Sequence, residues 1–164
     1  MPVLPFDQLP DDARAWVFAA SAPLAPDAQA LLLREVDGFL AQWRAHGAPL
    51  ACARDFRDGH FLCVAVDPQG ADASGCSVDG LFRTLRALEP MLRTTLLAGG
   101  LVFWRDDEGV VRAAPRGTFA THAAAGLLRG DTPVFDPSVN TVGAWRRDFE
   151  RPASASWHAK WFGA

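Results

Sequence analysis

Apolar runs and amphipathic stripes alternate along the first part of the chain and define its predicted elements. Residues 14–20 form an apolar run with aromatic and β-branched side chains before the breaker sequence Ser21-Ala22-Pro23, which is typical of a strand. Residues 27–46 then carry one apolar stripe at helical spacing, with Pro26 suited to the first turn and Gly47 to the end of a helix. The stripe consists of Leu32, Val36, Phe39, Leu40 and Trp43.

Two short apolar runs follow, joined by Asp58-Gly59, a dipeptide that supplies the positive φ angles of a two-residue hairpin turn. The pattern predicts a tight hairpin in which Arg57 faces His60. In that register Cys52 and Cys63 lie on the same face of the sheet as diagonal neighbours, without needing to form a bond.

A second amphipathic stripe predicts a helix over residues 77–89, which Pro90 should end or kink. Strand, turn and strand are expected over residues 101–113, and a short helix over 117–129. Beyond that helix, prolines and glycines interrupt every long pattern, although the chain remains rich in tryptophan and phenylalanine. Residues 131–164 are therefore expected to form an irregular, aromatic-rich extension packed on the rest.

The order of the main elements is β-α-β-β-α-β, which predicts an α+β fold of the ferredoxin-like kind. Its two main helices should pack on one face of a two-layer antiparallel sheet, because each shows a single apolar stripe. A length of 164 residues fits one domain, residues 1–164, with one main core.

Composition and charge narrow the classes of function. Hydrophobic residues make up 49% of the chain, so it should fold, and a net charge of -3 provides no basic field for nucleic acid or anionic membranes. Residues 1–9 lack the basic and apolar regions of a secretory signal, and no apolar run has membrane-spanning length. Three cysteines are then expected as free thiols in the cytoplasm. The cysteines lack metal-ligand spacing and the four histidines form no helical pair, so no metal or other cofactor is predicted.

Several motifs together resemble a bacterial family of uncharacterised proteins often labelled "ABC transporter ATPase". The motifs are Leu9-Pro10 with Arg14 and Trp16, WRAHGAPL at 43–50, AVD at 65–67, ASGCSVD at 73–79 and PASASW at 152–157. The resemblance spans nearly the whole chain and implies no functional residues. An ATPase of this kind needs a glycine-rich loop ending in Gly-Lys-Ser/Thr. The only lysine, Lys160, lies among aromatic residues without a strand-loop-helix pattern, so an ATPase activity is rejected.

The ferredoxin-like chain path brings the end of the first helix and the start of the second to one edge of the sheet. His46 and Asp67 should lie there beside the segment 74–79, where free helix N–H groups favour a small anion or carboxylate. Asp67 and Asp79 oppose this, because carboxylates repel an anion and compete for the same donors. The candidate ligand-binding residues are Ser74, Gly75, Ser77, Asp79, Asp67 and Trp43.

Cys76 and His46 are the candidate catalytic residues. A thiol at a helix start is activated by the helix dipole, and His46 would serve as its acid/base partner. The competing interpretation, which the sequence favours, is that Ser74 or Ser77 caps the helix while Cys76 merely packs. For His46 the competing role is a hydrogen bond to the last carbonyls of the first helix.

The tryptophans leave a further pair of alternatives, because most of them stand near arginine or histidine. Stacking of arginine on surface tryptophan competes with an aromatic-lined groove for a ligand or partner. Two functions therefore remain: a small binding or interaction domain for an unidentified small molecule or protein, which we rank first, and a thiol-dependent enzyme or redox protein. An exposed Cys76 beside a pocket within reach of His46 favours the enzyme, and a buried Cys76 favours binding.

Overall fold

Residues 3–97 and 99–163 are described by the computed structural model, and within them nine strands and four α-helices follow one another. The elements are β1 (Arg14–Ala19), α1 (Pro26–Ala41), β2 (Arg44–Ala45), β3 (Ala48–Pro49), β4 (Cys52–Arg57), β5 (Phe61–Val66), α2 (Gly75–Leu92), β6 (Leu101–Arg105), β7 (Val111–Pro115), α3 (Arg116–Ala124), β8 (Pro133–Phe135), α4 (Val142–Arg147) and β9 (Glu150–Pro152). Among these helices none is both long and apolar enough to cross a lipid bilayer.

The chain divides into two compact units. The first contains Met1–Leu97 with Ser138–Arg146, and the second contains Ala98–Pro137 with Arg147–Ala164. The sequence-based expectation was one domain with a single main core. Each unit has its own antiparallel sheet, so the general prediction of an α+β protein with antiparallel sheets is confirmed.

The first unit is built on the three-stranded sheet β1-β5-β4. β5 lies between β1 and β4 and runs antiparallel to both, and its pairing with β4 is the hairpin expected from the Asp58-Gly59 turn. All six residues of β5 are buried, as a central strand covered on both faces requires.

Both main helices pack on the same face of this sheet, as their single apolar stripes predict. Leu32, Val36 and Leu40 of α1 are fully buried in one cluster with Leu81 and Leu85 of α2. The sheet contributes alternate residues to that cluster, so the cluster lies on one face, while Phe61, Cys63 and Ala65 of β5 are buried on the opposite face. The sheet residues of the cluster include Phe18, Leu62, Val64, Val66 and Cys52.

The ferredoxin-like order of four strands is not confirmed, because β6 does not join the sheet beside β1. It pairs instead with β7 and β8 in a second sheet of order β7-β6-β8-β9. The start of β1 already has a different partner on its free edge: the Ala15 amide donates to the Asn140 carbonyl at 2.9 Å, and Arg14 bridges Thr141. A β-strand edge that is already paired cannot accept another strand at the same positions.

The first helix ends earlier than predicted. α1 stops at Ala41, and His46-Gly47 forms the turn of the β2–β3 hairpin, with φ angles of 51° and 79°. Positive φ at both turn positions is the geometry of a two-residue hairpin turn, so Gly47 serves a turn and not a helix end. The buried Trp43 lies just after the helix end, and its Nε1–H donates to the Ser77 carbonyl of α2 at 2.8 Å. This contact favours an end of α1 before Trp43.

The Asp58-Gly59 turn forms with positive φ at both residues, but the register of the hairpin is shifted by one residue. Arg57 pairs with Phe61, and His60 is an extra loop residue whose carbonyl accepts the Ala20 amide. A one-residue shift moves side chains to the opposite face of the sheet. The prediction that Cys52 and Cys63 share a face is therefore wrong.

The second helix is longer than predicted at both ends. α2 begins at Gly75 and continues through Pro90 to Leu92, so proline does not end it at once. Leu92 is buried in the core, and the helix then closes at Arg93 in the left-handed conformation with φ of 55°. Burial of the last apolar residue of the stripe favours the additional turn.

The second unit has its own small core between its sheet and α3. Buried members of this core include Val102, Trp104, Phe119 and Val134. The region expected as an irregular extension contains two strands of this sheet, β8 and β9. The helix α4 lies between these two strands in the sequence. Backbone pairing satisfies the polar groups of these short segments despite the many prolines and glycines.

Candidate functional site

An open cleft of about 550 Å³ lies between the β2–β3 hairpin and the start of α2. Its lining residues all come from two short stretches of sequence, 44–46 and 74–77. They are Arg44, His46, Ser74, Gly75, Cys76 and Ser77. The cleft therefore brings together both candidate catalytic residues and three of the candidate ligand-binding residues.

Ser74 caps the N-terminus of α2. Its Oγ accepts the Ser77 amide at 3.2 Å, and the Ser77 hydroxyl donates to the Ser74 carbonyl at 2.7 Å. In the described part of the chain, the Gly75 and Cys76 amides of the first turn have no hydrogen-bond acceptor. Those two N–H groups, together with the helix dipole, are available to a negatively charged group in the cleft.

Cys76 is the second residue of α2 and its side chain is exposed. The alternative in which Cys76 packs in the interior is therefore wrong, although the capping role of Ser74 is confirmed. The other two cysteines are buried, and burial raises the pKa of the Cys52 thiol to about 12 and that of the Cys63 thiol as well. The structure thus contains one accessible thiol and two that stay protonated and inert.

The hairpin β2–β3 carries the basic side of the cleft. His46 is exposed at its turn and lies beyond the end of α1, so it does not cap the helix carbonyls. The Arg44 guanidinium donates to the Gly47 carbonyl at 3.3 Å, and no carboxylate among the described residues pairs with it. Arg44 is not among the residues predicted for the site, although it lies in the WRAHGAPL motif two residues before His46.

Neither of the carboxylates expected to oppose an anion lines the cleft. Asp67 Oδ1 accepts the Gln69 amide at 3.0 Å, so this carboxylate closes the turn after β5. Asp79 is exposed outside the lining residues. The cleft therefore presents basic and neutral polar groups without an acidic one, which favours a negatively charged ligand.

Trp43 holds the two halves of the site in place. Its indole N–H bond to the Ser77 carbonyl ties the segment after α1 to the first turn of α2. Its ring makes an edge contact with Trp16 at 6.0 Å and a tilted contact with Phe39 at 5.4 Å. Buried at 3% exposure, Trp43 positions the site and also lines a neighbouring cleft.

Three of the other tryptophans each have an arginine guanidinium stacked over the ring. Guanidinium carbons lie 4.9 Å from the Trp16 ring centre, 4.2 Å from that of Trp145 and 5.3 Å from that of Trp157. Such contacts are ordinary stabilising interactions, both for an exposed ring such as that of Trp157 and for a buried ring such as that of Trp145. The aromatic-groove alternative therefore applies to Trp43 and not to these three.

A metal centre is not indicated by the side chains. Within residues 3–97 and 99–163, no three His, Cys, Asp or Glu side chains are grouped so that they could hold an ion. The cleft instead offers a thiol, an imidazole, a guanidinium, two hydroxyls and two free amides. That combination suits nucleophilic chemistry or the binding of a small anion.

Comparison with known proteins adds no further guide: no family model matches the chain, and no curated protein or solved structure is significantly similar to it. The resemblance to the uncharacterised bacterial family therefore stays a prediction.

Proposed function

We propose that this protein is a thiol-dependent enzyme or redox protein in which Cys76 is the nucleophile and His46 its proton acceptor. The observation that carries the proposal is the exposure of the Cys76 thiol in the first turn of α2, in a cleft that His46 also lines. An exposed Cys76 thiol in a cleft that His46 also lines is the arrangement that favours the enzyme over the binding domain. A merely structural cysteine has no need of either feature.

The proposed reaction begins with transfer of the Cys76 proton to the His46 imidazole. The thiolate then attacks an electrophilic carbon or a disulfide sulfur of the substrate, and its electron pair forms the new bond to sulfur. The leaving group departs with the electrons of the broken bond and takes the proton back from His46. The product is a thioether, a thioester or a mixed disulfide on Cys76, according to the substrate.

The proposed substrate carries a negative charge. Arg44 supplies a fixed positive charge without a carboxylate partner in the described residues, and the Gly75 and Cys76 amides add two donors. The N-terminus of an 18-residue helix stabilises both an anionic group and the thiolate. Neither Asp67 nor Asp79 lines the cleft, so neither opposes this charge there.

The motifs behind the family resemblance support the same site. All six cleft-lining residues lie in the WRAHGAPL and ASGCSVD segments. We therefore also propose that the chain belongs to that uncharacterised bacterial family, acts in the cytoplasm, and has a first unit that is ferredoxin-like without the fourth strand. The strand order β1-β5-β4 with α1 and α2 on one face supports the last point.

A small-molecule binding domain is the second candidate, because the two other cysteines are buried and offer no resolving thiol for a redox cycle. In that case Arg44 and the first-turn amides would hold an anion, and Cys76 would only contact it. The two candidates differ in whether the thiol is activated.

Alkylation rates test the activation. Cys76 in the native protein should react with iodoacetamide near pH 7 about two- to fivefold faster than the cysteine of a peptide with the sequence ASGCSVD, the factor expected from a helix N-terminus. His46→Gln should slow this reaction, because the thiol then loses its proton acceptor. His122→Gln is the matched control, since His122 lies in the second unit and should leave the rate unchanged. A rate equal to that of the peptide in every variant would refute the activated thiol and leave the small-molecule binding domain as the remaining candidate.

A further inference from the structure

Three arginines in the second half of α2 and at its end carry charge that the protein does not use internally. Arg83, Arg86 and Arg93 are exposed, and none of their side chains makes a hydrogen bond, an ion pair or a ring contact within residues 3–97 and 99–163. Four other arginines of the first unit are paired with carboxylates. These pairs are Arg14–Asp72 at 3.2 Å, Arg54–Asp37 at 2.8 Å, Arg57–Asp55 at 3.2 Å and Arg146–Asp11 at 2.7 Å.

The carboxylates of the same helix do not pair with these arginines. Glu89 Oε2 accepts the Leu96 amide at 2.6 Å and the Leu97 amide at 3.3 Å, so this carboxylate holds the loop that follows the helix. Asp79 lies four residues before Arg83, yet these two described side chains form no ion pair. The guanidinium donors therefore remain free to bind an external carboxylate.

The arginines share one surface with an exposed apolar side chain. At 100° per residue, Arg83, Arg86 and Pro90 lie within about 60° of one another around α2, and Arg93 follows at its C-terminus about 15 Å along the axis from Arg83. Met91 is 61% exposed, and among the described residues of the first unit it is the only large hydrophobic residue in the exposed class. We call the surface formed by Arg83, Arg86, Met91 and Arg93 the arginine stripe.

Local stability does not explain the arginines of the stripe. Arg93 ends α2 in the left-handed conformation with φ of 55°, where glycine avoids the strain that a Cβ atom brings. A positive charge at this end does favour the helix dipole, but that effect is confined to the last turn. Arg83 and Arg86 lie before the last turn, so the dipole does not account for them.

We propose that the arginine stripe is the docking surface for an acidic segment of a partner protein. Its carboxylates would pair with Arg83, Arg86 and Arg93, and an apolar side chain would pack on Met91. Arginine and methionine are both enriched at protein interfaces, and a guanidinium binds a carboxylate through two parallel hydrogen bonds.

Charge and composition favour a protein partner over a nucleic acid. The chain has a net charge of -3, and three arginines would neutralise few phosphates. Met91 offers an apolar contact that a phosphate backbone does not use. The stripe lies in the second half of α2 and Cys76 in its first turn, so this inference goes beyond the thiol chemistry and does not depend on it.

A labelled helical peptide, with glutamates along one face and a leucine beside them, tests the surface by fluorescence anisotropy. Arg86→Gln should weaken its binding about two- to fivefold, the effect of losing one exposed ion pair. Met91→Ser should also weaken it, because the apolar contact is lost. Arg116→Gln is the matched control and should leave the affinity unchanged. Arg116 is likewise an exposed helical arginine without a carboxylate partner in the described residues, but it belongs to the second unit.

Arg93→Gly separates binding from stability. Glycine relieves the left-handed residue at the end of α2, so the variant should melt about 2 to 4 °C above the wild type. The same variant should bind the peptide about two- to fivefold more weakly, because one guanidinium is lost. Weaker binding by a more stable protein cannot result from unfolding.

A second peptide of the same composition, with its glutamates spread around the helix, should bind more weakly than the first. Equal binding of the two peptides, or an equal loss of affinity in Arg116→Gln, would mean unspecific charge attraction and refute the stripe as a docking surface. Absence of binding at about 1 mM of the first peptide would refute it as well. Tighter binding of duplex DNA or of phosphatidylserine vesicles than of the peptide would overturn the assignment to an acidic protein segment. The alkylation rate of Cys76 tests the proposed thiol chemistry separately from all of these results.

Discussion

Acid should destabilise the second unit through one buried histidine, His158. The side chain has no solvent exposure, and its Nδ1 hydrogen-bonds the Ser156 hydroxyl at 2.8 Å. Its Nε2 is buried and has no hydrogen-bond partner among residues 3–97 and 99–163. Aromatic rings surround it, with the Trp157 ring stacked at 3.8 Å and the Phe119 ring at 5.8 Å. A second proton on this imidazole would therefore be buried without an acceptor.

Burial lowers the pKa of His158 to about 4, against an ordinary value of 6.5. Lys160 and Arg116 act in the same direction, and Asp136 partly opposes them. Because the folded pKa lies below the unfolded one, the unfolded chain binds the proton more readily as pH falls from 6.5 to 4. The difference corresponds to a loss of about 3 kcal/mol of unfolding free energy, complete only below pH 4.

Urea denaturation between pH 7 and pH 4 measures this loss, with the wild type compared against His158→Phe. The difference between the two proteins isolates the histidine from carboxylates that titrate in the same range. Phenylalanine keeps an aromatic ring and removes the ionisable nitrogens. The free energy of unfolding of the variant should therefore rise relative to that of the wild type by about 3 kcal/mol as the pH falls. His122→Gln, which changes a partly exposed histidine of the same unit, should follow the wild type. A wild-type and His158→Phe difference that is constant with pH would refute the argument.

Three further predictions follow from the first unit. Thiol titration of the native protein should find one fast sulfhydryl, Cys76, and three after denaturation; a second fast thiol would contradict the burial of the other two cysteines. Asp55→Ala should destabilise the protein by about 2 kcal/mol in urea melts, because it leaves the buried Trp145 Nε1–H without the acceptor it contacts at 2.8 Å. Trp145→Phe should then destabilise the Asp55→Ala protein less than it destabilises the wild type. Ser74→Ala should lower the free energy of unfolding by about 1 kcal/mol, because the cap of α2 is lost, whereas Ser74→Asp should lower it much less, because aspartate also caps helices. Equal losses in the two variants would exclude capping as the cause.

The candidate site was predictable to the extent that it depends on local sequence. Ser74 before an apolar stripe indicates a helix start, and that start places Cys76 in the first turn whatever the fold. Arg44 gave no such signal, because an arginine next to a tryptophan is common and its place beside the cleft depends on the β2–β3 hairpin.

Local patterns in the sequence determined the two long helices, the Asp58-Gly59 turn and the antiparallel pairing of the first sheet, because each depends on the spacing of neighbouring residues. Tertiary structure alone decided the register at His60, since a one-residue shift changes no local pattern but moves Cys52 and Cys63 to opposite faces. The same holds for the sheet that β6 joins, because the edge of β1 is occupied by residues more than a hundred positions away in the chain. The end of α1 was decided by the burial of Trp43, whose hydrogen bond to Ser77 reaches across to α2 and places His46 at the cleft.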